Sequence, residues 1–501
     1  MRYNSALIRC IQVRKNYYND ILRRNEMAIS KNTFIRKYSQ AIREGNAGIF
    51  AGAGLSRKSG YVDWKNLLRP LAKEVSLDIE KENDYLSVAQ FYRNESGTRT
   101  SINQEILEAF NIEVEENENI DIIARLPIST YWTTNYDKLI EKELEKKKRK
   151  VDVKMDSDQL SNALLNRDAV VYKMHGDVDH PANAVLTKDD YVLYDIKRPF
   201  FKTVLKGDLI SKKFLFVGFS FEDPNLDYVL GQIHALMDEN VAEHYCFFRK
   251  VQRSDYSNNE DYVYEKTRQE LRIKDLARYG IQTVYVDNYL EITEILLEIE
   301  FAVKRNNVFI SGSLVDSVEW KKDKAEELAR NLAESLVKNN FKITSGFGFG
   351  IGSSVINGAL SEIYQSKFKH IDEYLCLWPF PQGIKDSTEQ QDIFTQYRKD
   401  MIYNTGIAVF MFGNKKDPMD SSKIIDAPGC WEEFNIARDN KNIVIPIGST
   451  GFMARKIFDE VKANIENYKY LEKYIDILEK EKDVNKIVEI VTTVAKEQRM
   501  A

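Results

Sequence analysis

Ala47-Gly48-Ile49-Phe50-Ala51-Gly52-Ala53-Gly54-Leu55-Ser56 passes from a short apolar run straight into a glycine-rich turn. Ala47–Phe50 predicts a buried strand. Glycines at 52 and 54 permit a tight turn and let backbone N–H groups approach a pyrophosphate. Alone, Gly52–Ser56 serves equally well as a strand-to-helix turn with no ligand. Three later stretches give it company: Thr133-Thr134-Asn135-Tyr136-Asp137, Lys173-Met174-His175-Gly176-Asp177 and Val217-Gly218-Phe219-Ser220-Phe221-Glu222-Asp223. Each stands at the C-terminal end of a predicted strand, the edge where doubly wound sheets place their ligands.

Outward from these stretches, short β-rich runs alternate with helical ones. Strands are expected at Ser129–Thr133, Ala169–Lys173, Lys213–Gly218, His244–Phe248 and Thr283–Val286, and helices at Phe34–Arg43, Trp64–Val75, Tyr136–Lys148 and Pro224–Met237. That alternation predicts an α/β domain with a parallel sheet. The polar stretch Asp255–Asp261 reads as a solvated loop. A helix over Tyr289–Val303 ends in Lys304-Arg305-Asn306-Asn307, and a new strand, Val308–Ser311, opens at once. Beyond it the pattern restarts: helix Lys321–Lys338, strand Lys342–Ser345, a glycine-rich loop, helix Ser353–Gln365, and strands Glu373–Pro379, Ile407–Phe412 and Ile443–Pro446. The expected fold class is α/β, two doubly wound Rossmann-like domains over 34–304 and 305–501, preceded by a leader over 1–33. Residues 1–26 read as a basic amphipathic helix, with Met27 as an alternative start.

At 501 residues the chain exceeds what one compact core holds. A formal net charge of −5 gives no support to a nucleic-acid or anionic-membrane partner. The longest apolar run, near Phe214–Phe221, is too short to span a membrane. Arg9, Arg14, Lys15, Arg23 and Arg24 break up the N-terminus as a signal peptide. The four cysteines, Cys10, Cys246, Cys376 and Cys430, form no C-x₂₋₄-C pair, so neither a disulfide framework nor a zinc ribbon is expected. A cytoplasmic protein with no metal is expected.

The order GAGLS, T-x-N-x-D, H-G and G-x-S over roughly residues 45–290 resembles the sirtuins. The resemblance implies NAD⁺ as substrate. Gly52, Ala53, Gly54 and Ser56 would hold its phosphates and adjoining ribose, and Asp63 would line the nicotinamide side. Asn135 and Asp137 would contact the nicotinamide ribose, an ordered water and the carboxamide; Gly218 and Ser220 would touch the adenosine half. His175 would be the general base. The residue types suit these tasks. The cationic nicotinamide leaves ribose C1′ through an oxocarbenium-like state, so the site must orient the ribose, accept a proton and exclude bulk water. Histidine accepts protons near neutral pH, and asparagine offers a donor and an acceptor without charge. A satisfied core histidine is the competing account of His175. The sequence departs from the sirtuins in lacking a Cys₄ zinc ribbon. That favours plain hydrolysis over the alternative, an NAD-dependent protein deacylase, and leaves water or the ribose's own hydroxyl as acceptor. A third possibility is a site that merely holds nucleotide as a scaffold.

In the second half, Ser311-Gly312-Ser313 ends a predicted strand, and Ser345-Gly346-Phe347-Gly348-Phe349-Gly350-Ile351-Gly352-Ser353 runs into a helix. Alternating glycines ahead of a helix form an anion-binding nest or a flexible turn. Pro428-Gly429-Cys430-Trp431-Glu432-Glu433 resembles the PGGxGTxxE signature of LOG-type phosphoribohydrolases without its second glycine and threonine. The segment thus resembles the SLOG superfamily, in a form that has lost its catalytic loop and kept a nucleotide pocket; a ligand-free dimerisation or scaffolding domain is the competing account. Sirtuin-like then SLOG is the architecture of the effector family of bacterial Thoeris anti-phage systems, which this chain resembles from about residue 34 onward. The resemblance implies a homo-tetramer or higher assembly and a TIR-domain partner that makes a cyclic ADP-ribose isomer on infection. It implies that this signal binds the SLOG pocket and switches on NAD⁺ destruction, an abortive infection. Ser311, Gly312, Gly346, Gly348 and Gly350 would line that pocket. Arg398, on a helix expected at Thr395–Tyr403, and Lys415, past the strand Ile407–Phe412, would grip phosphates or ribose, and Glu433 would accept ribose hydroxyls. Ordinary solvated charges are the competing account of Arg398 and Lys415.

Overall fold

The structure, a computed structural model, describes residues 28–237, 242–381 and 387–500. Most of the expected leader, residues 1–27, lies outside them. The chain divides between Glu300 and Phe301 into two compact units. Both are α/β with an all-parallel main sheet, the doubly wound class read from the sequence.

In the first unit seven strands lie in the order β3-β4-β2-β1-β5-β6-β7. They are β1 Ala47–Ala51, β2 Thr130–Thr133, β3 Val151–Lys154, β4 Ala169–Lys173, β5 Lys213–Val217, β6 His244–Arg249 and β7 Ile281–Val286. The order reverses between β1 and β5, which pair in parallel from Ala47–Lys213 to Ala51–Val217. A crevice opens beyond strand C-termini at such a reversal. The central strands β1 and β5 are mostly apolar because helices cover both faces of a parallel sheet; Phe50, Trp132, Phe214 and Phe216 are buried in this sheet. Between β1 and β2 the chain builds a separate helical layer over Trp64–Glu74, Tyr85–Ser96 and Thr100–Phe110. Its own core is Leu67, Leu68, Leu71, Val88, Tyr92, Ile102 and Ile106.

Three local expectations are corrected. The helix expected from Tyr136 begins at Leu139, because the Asp137 carboxylate accepts the Leu139 N–H (3.0 Å) and holds the preceding residues in a turn. The polar stretch Asp255–Asp261 is only partly loop: Asn258 caps a helix that starts at Asn259. β3 was not expected at all.

In the second unit five parallel strands lie in the order β10-β9-β8-β11-β14. They are β8 Asn307–Ser311, β9 Lys342–Ser345, β10 Leu375–Leu377, β11 Ile407–Phe410 and β14 Ile443–Pro446. β10 is shorter than the strand expected over Glu373–Pro379, since Ile371–Tyr374 forms a helical turn. Beyond β11 the chain turns through Phe412 and Gly413, both at positive φ. It then enters an antiparallel hairpin of β12 Asn414–Lys416 and β13 Ile424–Asp426, in which Lys415 pairs with Ile425. Lys415 thus lies in the hairpin that follows the C-terminal end of β11. Among the described residues no helix is long and apolar enough to cross a membrane.

Candidate active site

A cavity of about 920 Å³ opens at the C-terminal ends of β1, β2, β4 and β5. Gly52, Ala53, Gly54, Ser56, Asp63, Asn135, Asp137, His175, Gly218 and Ser220 all line it. The helical layer supplies its opposite wall through Trp64, Leu67, Tyr85 and Phe110.

The glycine turn is built by backbone meeting backbone. A Cβ at Gly52 would stand 2.5 Å from the Gly218 carbonyl, and one at Gly218 would stand 2.1 Å from the Leu55 nitrogen. Only glycine at both positions lets the ends of β1 and β5 touch. The Gly52 and Gly54 amides donate to the carbonyls of Val217 and Gly218, at 3.0 and 2.9 Å. Those two N–H groups therefore fix the tight turn that the glycines were expected to permit.

Ser56, Asn135 and Asp137 form one chain of hydrogen bonds. The Asn135 side-chain amide donates to Ser56 Oγ (3.0 Å), whose hydroxyl donates to Asp137 Oδ2 (2.8 Å). All three are buried. The Asn135 backbone N–H donates to Thr133 Oγ1 (3.0 Å), which itself donates to the Ala51 carbonyl (3.0 Å). Lys173, at the end of β4, clamps this turn from beneath. Its buried ammonium donates to the carbonyls of Tyr136, at 3.3 Å, and Asp137, and pairs with Glu141 (2.9 Å) and Asp177. Burial works against the charged lysine, but the two carboxylates outweigh it and raise its pKa above the usual lysine range. Burial pushes the Glu141 carboxyl up.

His175 follows two residues after β4 and is 4% exposed. Its Nε2 lies 3.0 Å from Asp223 Oδ2. The Tyr191 hydroxyl donates to the same oxygen at 2.9 Å. Neither Asp223 nor Tyr191 was assigned a role from sequence. Asp223 stood in the quoted Val217–Asp223 stretch, where an acid ahead of Pro224 already reads as a helix cap; nothing in the sequence marks Tyr191. Asp63 caps the helix Trp64–Glu74 by accepting the Asn66 N–H (3.0 Å). The Ser220 carbonyl accepts from Arg272, which also lines the cavity.

In the second unit the structure joins Ser311, Arg398 and Glu433. The Ser311 hydroxyl donates to Glu433 (2.6 Å), and Arg398 pairs with Glu432 (2.8 Å) and Glu433 (3.5 Å). Burial raises the Glu433 carboxyl. Arg398 also lies 5.0 Å over the Phe380 ring. Among the described residues no hydrogen bond or ion pair joins Lys415 to this cluster. A Cβ at Gly348 would meet the Gly312 carbonyl at 1.9 Å, and one at Gly350 the Leu314 carbonyl at 1.9 Å. The glycine-rich loop is therefore packed on the end of β8. Gly346 faces Phe380 and Met401.

Family models match the chain in the same two places: a SIR2-like domain over residues 129–275, and the Sir2- and TIR-associating SLOG family over residues 291–498. Fold and site thus define a two-domain protein, SIR2-like and then SLOG. Proteins named NAD(+) hydrolase ThsA match nearly end to end. The one from Bacillus cereus strain MSX-D12 is 48% identical over 87% of this chain and 90% of its own. Those from Acinetobacter baumannii strain 532279 and Enterococcus faecium are 46% and 40% identical, over 87% and 93% of this chain and 91% and 99% of theirs. The chain belongs to the ThsA family of NAD(+) hydrolases.

Proposed function

We propose that this chain cleaves NAD⁺ between nicotinamide and ribose in the first unit's cavity, and that a cyclic ADP-ribose isomer bound by the SLOG unit turns the reaction on. The observation that carries the first half is the convergence of Ser56, Asn135, Asp137 and His175 on one cavity, in a family named for NAD⁺ hydrolysis.

In this reading the glycine turn and Ser56 seat the pyrophosphate and adjoining ribose, Asp63 lines the nicotinamide side, and Gly218 and Ser220 meet the adenosine half. Asn135 and Asp137 orient the nicotinamide ribose, and the Ser56 bridge keeps both in register. The C1′–N bond breaks with its electron pair passing to the nicotinamide ring, which becomes neutral. Water attacks C1′ and gives its proton to His175. Nicotinamide and ADP-ribose leave. No acyl-lysine peptide enters the scheme. Incubation of NAD⁺ with the pure protein and the cyclic signal should therefore yield nicotinamide and ADP-ribose in equal amounts, read by liquid chromatography. Nicotinamide release that required an acylated peptide would establish the deacylase instead.

For the SLOG unit, the supporting observation is the cluster of buried Ser311 and Glu433 with half-buried Arg398 beside a glycine loop. Arg398 would bind a phosphate of the signal in place of Glu432, Glu433 would accept ribose hydroxyls, and Lys415 would reach the ligand from its hairpin. A TIR-domain protein would supply the signal, and NAD⁺ loss in the cytoplasm, through a homo-tetramer or larger assembly, would stop cell and phage together. A charge-assisted hydrogen bond contributes about 1.5–3 kcal/mol. Arg398→Ala should accordingly bind the cyclic nucleotide roughly ten- to a hundredfold more weakly in a calorimetric titration. Parent-like affinity in that variant would remove Arg398 from the sensor.

A further inference from the structure

The strand-end turn that carries Asp223 is tightly specified. Phe221 holds φ 58, a left-handed conformation uncommon for a bulky residue. Its ring packs 5.0 Å from Phe216 and 5.3 Å from Phe219. The turn brings Asp223 Oδ2 to 3.0 Å from His175 Nε2, while Asp223 Oδ1 accepts the Leu226 N–H at 2.9 Å. The Tyr191 hydroxyl gives its proton to Oδ2 and lies 3.4 Å from Nε2 with its oxygen. Both partners facing Nε2 therefore offer it acceptors. Among the described residues no hydrogen bond engages Nδ1 of His175, a residue that lines the cavity.

We propose that Asp223 is a positioning residue that fixes the proton of neutral His175 on Nε2, so that Nδ1 is the nitrogen that takes the substrate-side proton. The proposal rests on the reading of His175 as base. Its physical ground is that an ionised carboxylate only accepts hydrogen bonds, so the imidazole must present N–H toward it. Burial raises the Asp223 carboxyl, but the charge and hydrogen bond of His175, the Leu226 amide and the Tyr191 hydroxyl outweigh that and hold it below the usual carboxylate range. When Nδ1 takes a proton, the same carboxylate stabilises the imidazolium formed.

Asp223→Asn isolates this property. Asparagine caps a helix as well as aspartate does, so the bond from Leu226 survives. Its amide, however, can donate toward Nε2 and thereby favours hydrogen on Nδ1. The variant should unfold at the parent's midpoint and keep NAD⁺ KM within about threefold, while kcat falls by about 10²–10⁴. A folded Asp223→Asn protein with kcat within about threefold of the parent overturns the proposal. A second measurement needs no variant of Asp223. In the ¹⁵N-histidine spectrum of the full chain, with the His175 signals assigned by their loss in His175→Ala, the parent should show hydrogen on Nε2. Hydrogen on Nδ1 overturns the proposal even if Asp223→Asn fails to fold. Absence of nicotinamide release by the parent with the cyclic signal present would sink the NAD⁺ reading instead, and the nitrogen spectrum would still decide the tautomer.

Discussion

His175→Ala and Asn135→Ala should each lower nicotinamide release by about 10²–10⁴, the usual cost of losing a general base or a group that positions the reacting atoms. The two losses have different origins. His175 stands at the cavity wall with Nε2 engaged by Asp223, so alanine removes the proton acceptor and leaves the turn that carries it intact. Asn135 joins Ser56 and through it Asp137, so alanine frees a buried hydroxyl and loosens the row proposed to bind the ribose. Combining the two should cost much less than the product of the single losses, because residues acting as a unit are not additive. Initial rates for the two single variants and the double, at saturating NAD⁺, check this. Parent-like turnover by a folded His175→Ala protein would remove it as the base.

Lys173→Met should destabilise the first unit by about 3–5 kcal/mol, because it removes one partner of a buried ionic cluster and leaves its carboxylates uncompensated. The lysine side chain is fully buried, between Glu141 and Asp177, and it also holds the carbonyls of Tyr136 and Asp137. Domains are stable by only about 5–15 kcal/mol, so a loss of this size is a large share. The melting transition of the first unit should drop by on the order of 10 °C. Because the same lysine holds the turn after Asn135, activity at low temperature should fall as well. A melting curve superimposable on the parent's would show that the cluster contributes nothing net.

The cavity's β-strand side was legible because each of its pieces follows directly on a short apolar strand. Ala47–Phe50 announces Gly52, Ser129–Thr133 announces Asn135, and Ala169–Lys173 announces His175, and a parallel sheet gathers strand C-termini along one edge. The pairing of His175 with Asp223 was not legible. It depends on how far the turn after β5 reaches toward the end of β4, and β4 and β5 are separated in the sheet by β2 and β1. Strand β3 was hidden because Val151-Asp152-Val153-Lys154 continues the charged tail of a helix. Its polar members are instead held by ion pairs: Lys154 with Asp152, and Asp152 with Arg167, both at 2.7 Å. The helical wall over Tyr85–Phe110 lies between obvious strands and carries no motif, so its place at the cavity emerged only from packing. In the second unit Ser311 and Glu433 lie 122 residues apart yet share a hydrogen bond. The hairpin that carries Lys415 past β11 was not legible because the turn at Phe412–Gly413 is set by backbone conformation, which the side-chain pattern does not reveal.

NAD⁺ consumption by the full-length protein, followed with and without a cyclic ADP-ribose isomer, tests the central claim most directly. The account predicts slow or no turnover alone, strong nicotinamide release once the signal is added, and none with signal in His175→Ala. Parent and His175→Ala proteins that consumed NAD⁺ equally under both conditions would contradict it.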